Sequence, residues 1–293
     1  SGRVSATRGK RGLERLEKAG YSGALEQSAG SHATPGPIRL RRFESGPPHS
    51  LTGALVVTLE VLGSPEILAA RASDFIAAEL ERKPKLTVLV ATGNTPMLTY
   101  SELERRVQRK ELDCSSITAV QLDEYLGVSE SDPRSLYGWM RRSFLEPLGI
   151  EKVIRFDPKL DPDRACTEFE REVARAGGID LAVLGLGPNG HLGFNEPPSG
   201  PDSVTRVLEL TPESLSSNAA YWGELPVPTH ALTAGMNLIL AARRVLLLVA
   251  GAHKRNILAK TLEGPQTPDL PASFLQDTDL TVLADSEAAR GLE

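Results

Sequence analysis

Four short segments hold residue types that can do chemistry together. The richest is Gly185-Leu-Gly187-Pro-Asn189-Gly190-His191-Leu-Gly-Phe-Asn195-Glu196-Pro197. A histidine and a glutamate five residues apart, on a glycine-rich loop that lets a ligand approach closely, suit proton transfer to and from oxygen atoms. The second segment is Asp123-Glu124-Tyr125. Burial can raise the pKa of one of two adjacent carboxylates toward neutrality, which makes a general base. The third is Ala91-Thr92-Gly93-Asn94-Thr95-Pro96, and the fourth is Gly251-Ala252-His253-Lys254. Each opens a helical pattern, where free backbone N–H groups and the helix dipole favour an anion. Lys254 adds a point charge suited to phosphate.

These segments have plain alternatives. Residues 91–96 also fit an ordinary capped turn, residues 123–125 a solvated acidic loop, and Lys254 a surface lysine. The run Gly185-x-Gly187-x-x-Gly190, with Glu209 about 20 residues on, matches the dinucleotide fingerprint in letters. That fingerprint must open a long helix. Here Pro197, Pro198, Gly200 and Pro201 follow too soon, so no nicotinamide or flavin cofactor is expected. Residues 91–96 are no Walker loop, because no Gly-Lys-Ser/Thr follows. The five histidines, at 32, 49, 191, 230 and 253, lack the close pairing of a zinc site. No metal is expected.

The segments gain meaning from the elements that carry them. Leu86–Ala91, Ile117–Leu122, Asp180–Gly185 and Val245–Ala250 are short, nearly continuous apolar runs, and Leu280–Ala284 is a fifth. Such runs read as strands buried on both faces of a parallel sheet. Val153–Phe156 reads as a shorter strand. Ser64-Pro65-Glu66 and Asp161-Pro162-Asp163 are helix starts, each with a capping side chain, a first-turn proline and a first-turn acid. A further helix fits residues 133–148, and residues 211–242 read as helix-rich. The alternation gives an α/β fold: a doubly wound, mostly parallel sheet with helices on both faces, Rossmann-like. Ligands of such sheets bind beyond the carboxyl ends of the strands. All four chemical segments directly follow a strand.

Composition bounds the remaining classes. The chain has 293 residues and a formal charge of −5, which argues against coating nucleic acid. Residues 1–50 carry nine Lys and Arg against four Asp and Glu, and 19 of the 50 are Gly, Pro or Ser. They read as a basic, disordered leader, residues 1–52, ahead of one catalytic domain, residues 53–288. The leader lacks an apolar stretch of the secretory kind. No apolar run approaches the ~18 residues of a membrane span. No membrane partner is expected, and the cytoplasm is the default location. Two cysteines exclude a disulfide scaffold.

The order of the motifs resembles the glucosamine-6-phosphate deaminase (isomerase) family, which shares a fold with 6-phosphogluconolactonases. The resemblance runs from about residue 60 to 285. It rests on residues 91–96, Leu122–Gly127, 185–197, Ala231-Leu-Thr-Ala-Gly235 and 251–254, and the Gly-His-x-x-Phe-Asn-Glu-Pro run favours the deaminases. It implies that Asp123 moves a proton between C2 and C1 of an open-chain amino sugar, and that His191 and Glu196 serve ring opening. It also implies that Gly93, Asn94, Thr95 and Lys254 hold the phosphate of a small-molecule sugar phosphate, with Glu124 beside them. Two departures stand out. Many deaminases carry Asp, which orients the histidine ring, where this chain has Asn189, whose amide can still accept from a neutral imidazole and is expected to serve His191. They also carry an arginine near the position of Ala220. Either Arg206 or another arginine takes over, or the substrate is a relative such as galactosamine 6-phosphate. The rival readings are a 6-phosphogluconolactonase and a sugar-phosphate-sensing domain without turnover. Family members are often oligomeric, so the resemblance allows a homo-oligomer.

Overall fold

The computed structural model describes residues 39–44 and 56–292. Eight strands form the main sheet: β1 (Arg39–Glu44), β2 (Val56–Leu62), β3 (Thr87–Val90), β4 (Thr118–Gln121), β6 (Lys152–Ile154), β7 (Leu181–Gly185), β10 (Arg244–Val249) and β11 (Leu280–Asp285). Their order is β1-β2-β11-β10-β7-β3-β4-β6. Every neighbouring pair from β2 to β6 is parallel, and β1 alone runs antiparallel, against β2. The expected α/β class holds.

Strand periodicity divides the core. Leu89, Val120, Leu184, Leu247 and Val282 face one way, onto the helices Pro162–Arg175 and Arg255–Glu263. Their neighbours Val88, Val90, Ala119, Val183, Leu246, Leu248 and Leu283 face the other, onto Pro65–Arg82 and Asn94–Gln108. Two buried faces explain why these strands are continuously apolar. The caps form as the sequence suggests: Ser64 Oγ accepts from Ile67 N at 3.3 Å, and Asp161 Oδ1 from Asp163 N at 3.1 Å.

A second sheet was not anticipated. Strands β5 (Asp123–Tyr125), β9 (His230–Thr233) and β8 (Arg206–Glu209) form it in the order β5-β9-β8, all antiparallel. It carries its own apolar cluster of Tyr125, Leu136, Phe194, Leu210, Trp222 and Ala231. The stretch 211–242 is therefore not all helix: β9 separates the helices Pro212–Trp222 and Met236–Leu240. The expected leader lies outside the described residues except for β1, which extends the sheet by its backbone.

From β3 the chain moves outward through β4 to β6, then returns to the other side of β3 at β7. That reversal is a topological switch point, where the loops after β3 and β7 diverge and leave a crevice. The loops after β10, β7, β3 and β4 come from four consecutive strands of the sheet. They are the four segments singled out by their chemistry.

Candidate active site

The chain leaves the main sheet at Leu122 and enters the small one at Asp123, which pairs with Thr233. Thr233 Oγ1 also accepts from Phe194 N at 3.2 Å and Asn195 Nδ2 at 3.5 Å. Asp123 and the loop bearing Glu196 thus share one residue of β9. Gly193, at φ +60°, makes the contact close: a Cβ there would lie 3.0 Å from Thr233 Oγ1 and 3.1 Å from Leu122 Cγ.

Asp123 is 8% exposed, and its Oδ1 has no hydrogen-bond partner. Burial, reinforced by the neighbouring Glu124 charge, pushes its pKa up to about 8. The side chains of Asp123 and Glu124 point to opposite sides of β5, and their environments differ accordingly. Glu124 accepts from Tyr125 N, Leu136 N, Tyr137 N, Ser135 Oγ and Gln121 Nε2 at 2.8–3.2 Å. It caps the helix Leu136–Met140. The expectation that Glu124 contacts substrate is corrected: both of its oxygens are taken by the fold.

His191 sits over Gly187, where a Cβ would collide with the imidazole ring. Its Nδ1 has no partner, and its pKa falls to about 4 because burial and then the Lys254 charge disfavour the imidazolium. Asn189 does not orient the ring. Its Oδ1 accepts from His191 N at 3.3 Å, so it closes a backbone turn instead. Glu196 is 6% exposed, with Oε2 accepting from Thr211 N at 2.9 Å and Oε1 unpaired. Burial raises its pKa. Three unpaired buried polar atoms, on Asp123, His191 and Glu196, are what a site awaiting a polar ligand presents.

The anion-binding parts are built differently. Gly93 precedes the helix Asn94–Gln108 and supplies no side-chain cap, so the helix start has no capping oxygen competing with an anion. Lys254 is half-buried, has no ion pair among the described residues, and its pKa is lowered by desolvation. Asp285 Oδ2 accepts from Gly251 N at 2.9 Å and fixes the turn that carries Lys254. Tyr221, on the helix Pro212–Trp222, hydrogen-bonds Asn94. That contact joins residues 127 positions apart, so spacing could not reveal it. Ala220 lies on the same helix.

Arg206 is engaged by the loop bearing Glu196. Its guanidinium donates to Asn195 Oδ1 and Ser199 Oγ, each at 2.9 Å. The expectation of a phosphate ligand at Arg206 meets a guanidinium whose two terminal nitrogens are already engaged by the fold. Asn195, Ser199 and Thr211 escaped the sequence reading. Thr211-Pro212-Glu213 repeats the cap-and-proline signal seen twice before, and Thr211 Oγ1 does cap its helix, at 3.3 Å from Ser214 N.

Among the described residues, no cluster of His, Cys, Asp or Glu is arranged to hold a metal ion, and no helix is long and apolar enough to cross a membrane.

Comparison with known proteins agrees with this geometry. A family model described as glucosamine-6-phosphate isomerases/6-phosphogluconolactonase matches residues 64–284. A glucosamine-6-phosphate deaminase of Rhodopirellula baltica is 38% identical over 244 residues, covering 82% of this chain and 97% of that protein. One of Corynebacterium aurimucosum is 37% identical over 242 residues, covering 80% and 94%. A solved structure described as a monomeric glucosamine-6-phosphate deaminase superposes with a TM-score of 0.75 at 36% identity, covering 79% of this chain and 98% of that one. The 6-phosphogluconolactonase of Trypanosoma cruzi shares the fold, with a TM-score of 0.65 at 21% identity over 80% and 96% of the two chains. With the matched residues taking in β3 through β11 and all four site loops, this chain belongs to the glucosamine-6-phosphate isomerase/6-phosphogluconolactonase family.

Proposed function

We propose that the protein is an amino-sugar-phosphate deaminase that converts glucosamine 6-phosphate to fructose 6-phosphate and ammonia. The observation that carries this reading is Asp123, a buried carboxylate with an unpaired oxygen and a pKa near neutrality, at the carboxyl end of β4. A base of that kind suits removal of a carbon-bound proton. The deaminase relatives at 34–38% identity support it further.

The chemistry needs only positioned acids and bases. His191 and Glu196 move a proton between the ring oxygen and the C1 oxygen, which opens the pyranose. The aldehyde at C1 then acidifies the C2 proton. Asp123 takes that proton, giving an enolamine, and returns it at C1, leaving an imine at C2. Water adds at C2 and ammonia leaves, so one water is consumed for each ammonia released. The N–H groups at Gly93–Thr95 and the Lys254 ammonium hold the phosphate. Turnover by a monomer is expected, as in the relative described as a monomeric deaminase. The substrate is a charged, water-soluble metabolite, and the cytoplasm is the proposed place of action.

The test is ammonia release from glucosamine 6-phosphate, galactosamine 6-phosphate and 6-phosphogluconolactone in parallel. Ammonia and fructose 6-phosphate in equal amounts from the first are expected. Ammonia from the galactosamine epimer alone would change the substrate but keep the chemistry. Acid release from the lactone without ammonia would overturn the deaminase reading, and binding of all three without turnover would point to a sensing domain.

A further inference from the structure

The loop bearing Glu196 is tied to a cation that the proposed chemistry does not use. Arg206, half-buried on β8, donates through one terminal nitrogen to Asn195 Oδ1 at 2.9 Å and Val204 O at 3.2 Å, and through the other to Ser199 Oγ at 2.9 Å. No Asp or Glu pairs with it among the described residues. Both side chains it grips are buried. Asn195 donates onward to Leu192 O at 2.9 Å and Ala234 O at 2.8 Å. Ser199 Oγ donates to the Glu196 carbonyl. The guanidinium therefore holds the residue before Glu196 and, through Ser199, the carbonyl of Glu196 itself. Thr211 N fixes Oε2 from the far side, and Oε1 is left to face a ligand.

We propose that Arg206 is a positioning residue whose planar fork, spanning Asn195 and Ser199, sets the direction of the Glu196 carboxylate for proton transfer at the sugar ring. This rests on the deaminase reading of the site. A half-buried guanidinium without a counter-ion is a poor stabiliser, because its desolvation is not repaid by a charge partner. Two acceptors on one rigid plane are what a guanidinium can serve and a lysine ammonium cannot. Arg206 acts through Glu196 and does not touch the substrate.

The test uses the full chain, with Arg206→Lys, Ser199→Ala and the double variant assayed on glucosamine 6-phosphate. The readouts are kcat, KM, the pH profile and the melting temperature. Small displacements of a catalytic group cost up to about 100-fold in rate. In Arg206→Lys, kcat is expected to fall by at least about tenfold with KM nearly unchanged. The pH limb set by Glu196 is expected to move. Ser199→Ala shifts both in the same direction by less, and the double variant loses no more than Arg206→Lys. Unchanged kcat and pH profile in both single variants overturn the proposal. So does a rise in KM, and in the inhibition constant of inorganic phosphate, with kcat intact, which would make Arg206 an anion ligand. If Arg206→Lys does not fold, Ser199→Ala decides alone: a lower kcat at an unchanged melting temperature supports the proposal, and an unchanged kcat overturns it. A wild-type protein that releases no ammonia removes the deaminase reading and this proposal with it. Active wild type with unaltered variants removes only this proposal.

Discussion

The two ends of the site are made in opposite ways. At the proton-transfer end, Asp123, His191 and Glu196 are withdrawn from water, and each keeps an unpaired polar atom. Burial shifts all three toward their neutral forms. At the anion end, nothing ionisable needs tuning to neutrality. The helix start at Gly93–Thr95 and Lys254 are the parts proposed to meet the phosphate, and Gly93 and Asn94 are exposed. Desolvation sets the protonation of all three proton-transfer groups, whereas at the anion end it lowers the pKa of Lys254 beside an exposed helix start. The small sheet carries Asp123 and holds the loop bearing Glu196 against it through Thr233.

The contrast can be broken most severely at Asp123. Asp123→Asn is expected to cut deamination by about 1,000-fold or more, since a positioned base contributes 10²–10⁴-fold. It should also raise the melting temperature. A carboxyl whose folded pKa lies near 8 keeps its proton in the folded state while the unfolded chain, at its ordinary value of 3.8, has lost it. Stability from this group therefore falls as pH rises from about 4 to about 8. The gain in melting temperature should be larger at pH 8 than at pH 5. His191 works in the other direction. Its folded pKa of about 4 lies below the unfolded 6.5, so stability is lost as pH falls through that window.

Next in size is Gly187→Ala, which drives a methyl group into the His191 ring. A kcat loss of about 10–100-fold with a modest change in KM is expected in steady-state assays. Lys254→Met, at the other end, should do the reverse. Losing a charge-assisted hydrogen bond of about 1.5–3 kcal/mol should raise KM by about 10–100-fold and leave kcat less affected. A Lys254→Met variant that loses kcat and keeps its KM would erase the division between the ends. The smallest effect is expected from Asn189→Asp. Because Asn189 holds the backbone N–H of His191 and not its ring, a two- to threefold change in kcat is about the most it should give. A large gain would show that the ring does respond to that position.

The sequence revealed the main sheet well and the small sheet poorly, for one physical reason. Strands β3, β4, β7, β10 and β11 are buried on both faces and so are written as apolar runs. Strands β5, β8 and β9 are three or four residues long and carry Asp123, Arg206, Glu209 and His230. Nothing in such segments separates a strand from a loop. The site's location was legible, because every chemical segment follows a main-sheet strand. Roles were less so. Asp123 and Glu124 look equivalent in sequence, and only the pleat of β5 leaves one buried with an unpaired oxygen and makes the other a helix cap. Arg206 suggested phosphate only as a stand-in for the arginine that relatives carry near Ala220. Its partners Asn195 and Ser199, eleven and seven positions away, are set by the fold of the loop.

The claim that burial readies Asp123 as the base can be measured directly by titrating carbon-13-labelled aspartate carboxyls in the free protein, with the Asp123 signal assigned by its absence in Asp123→Asn. The expected result is one aspartate that titrates near pH 8, well apart from the rest. An Asp123 carboxyl that titrates below pH 5 with the other aspartates would contradict the account.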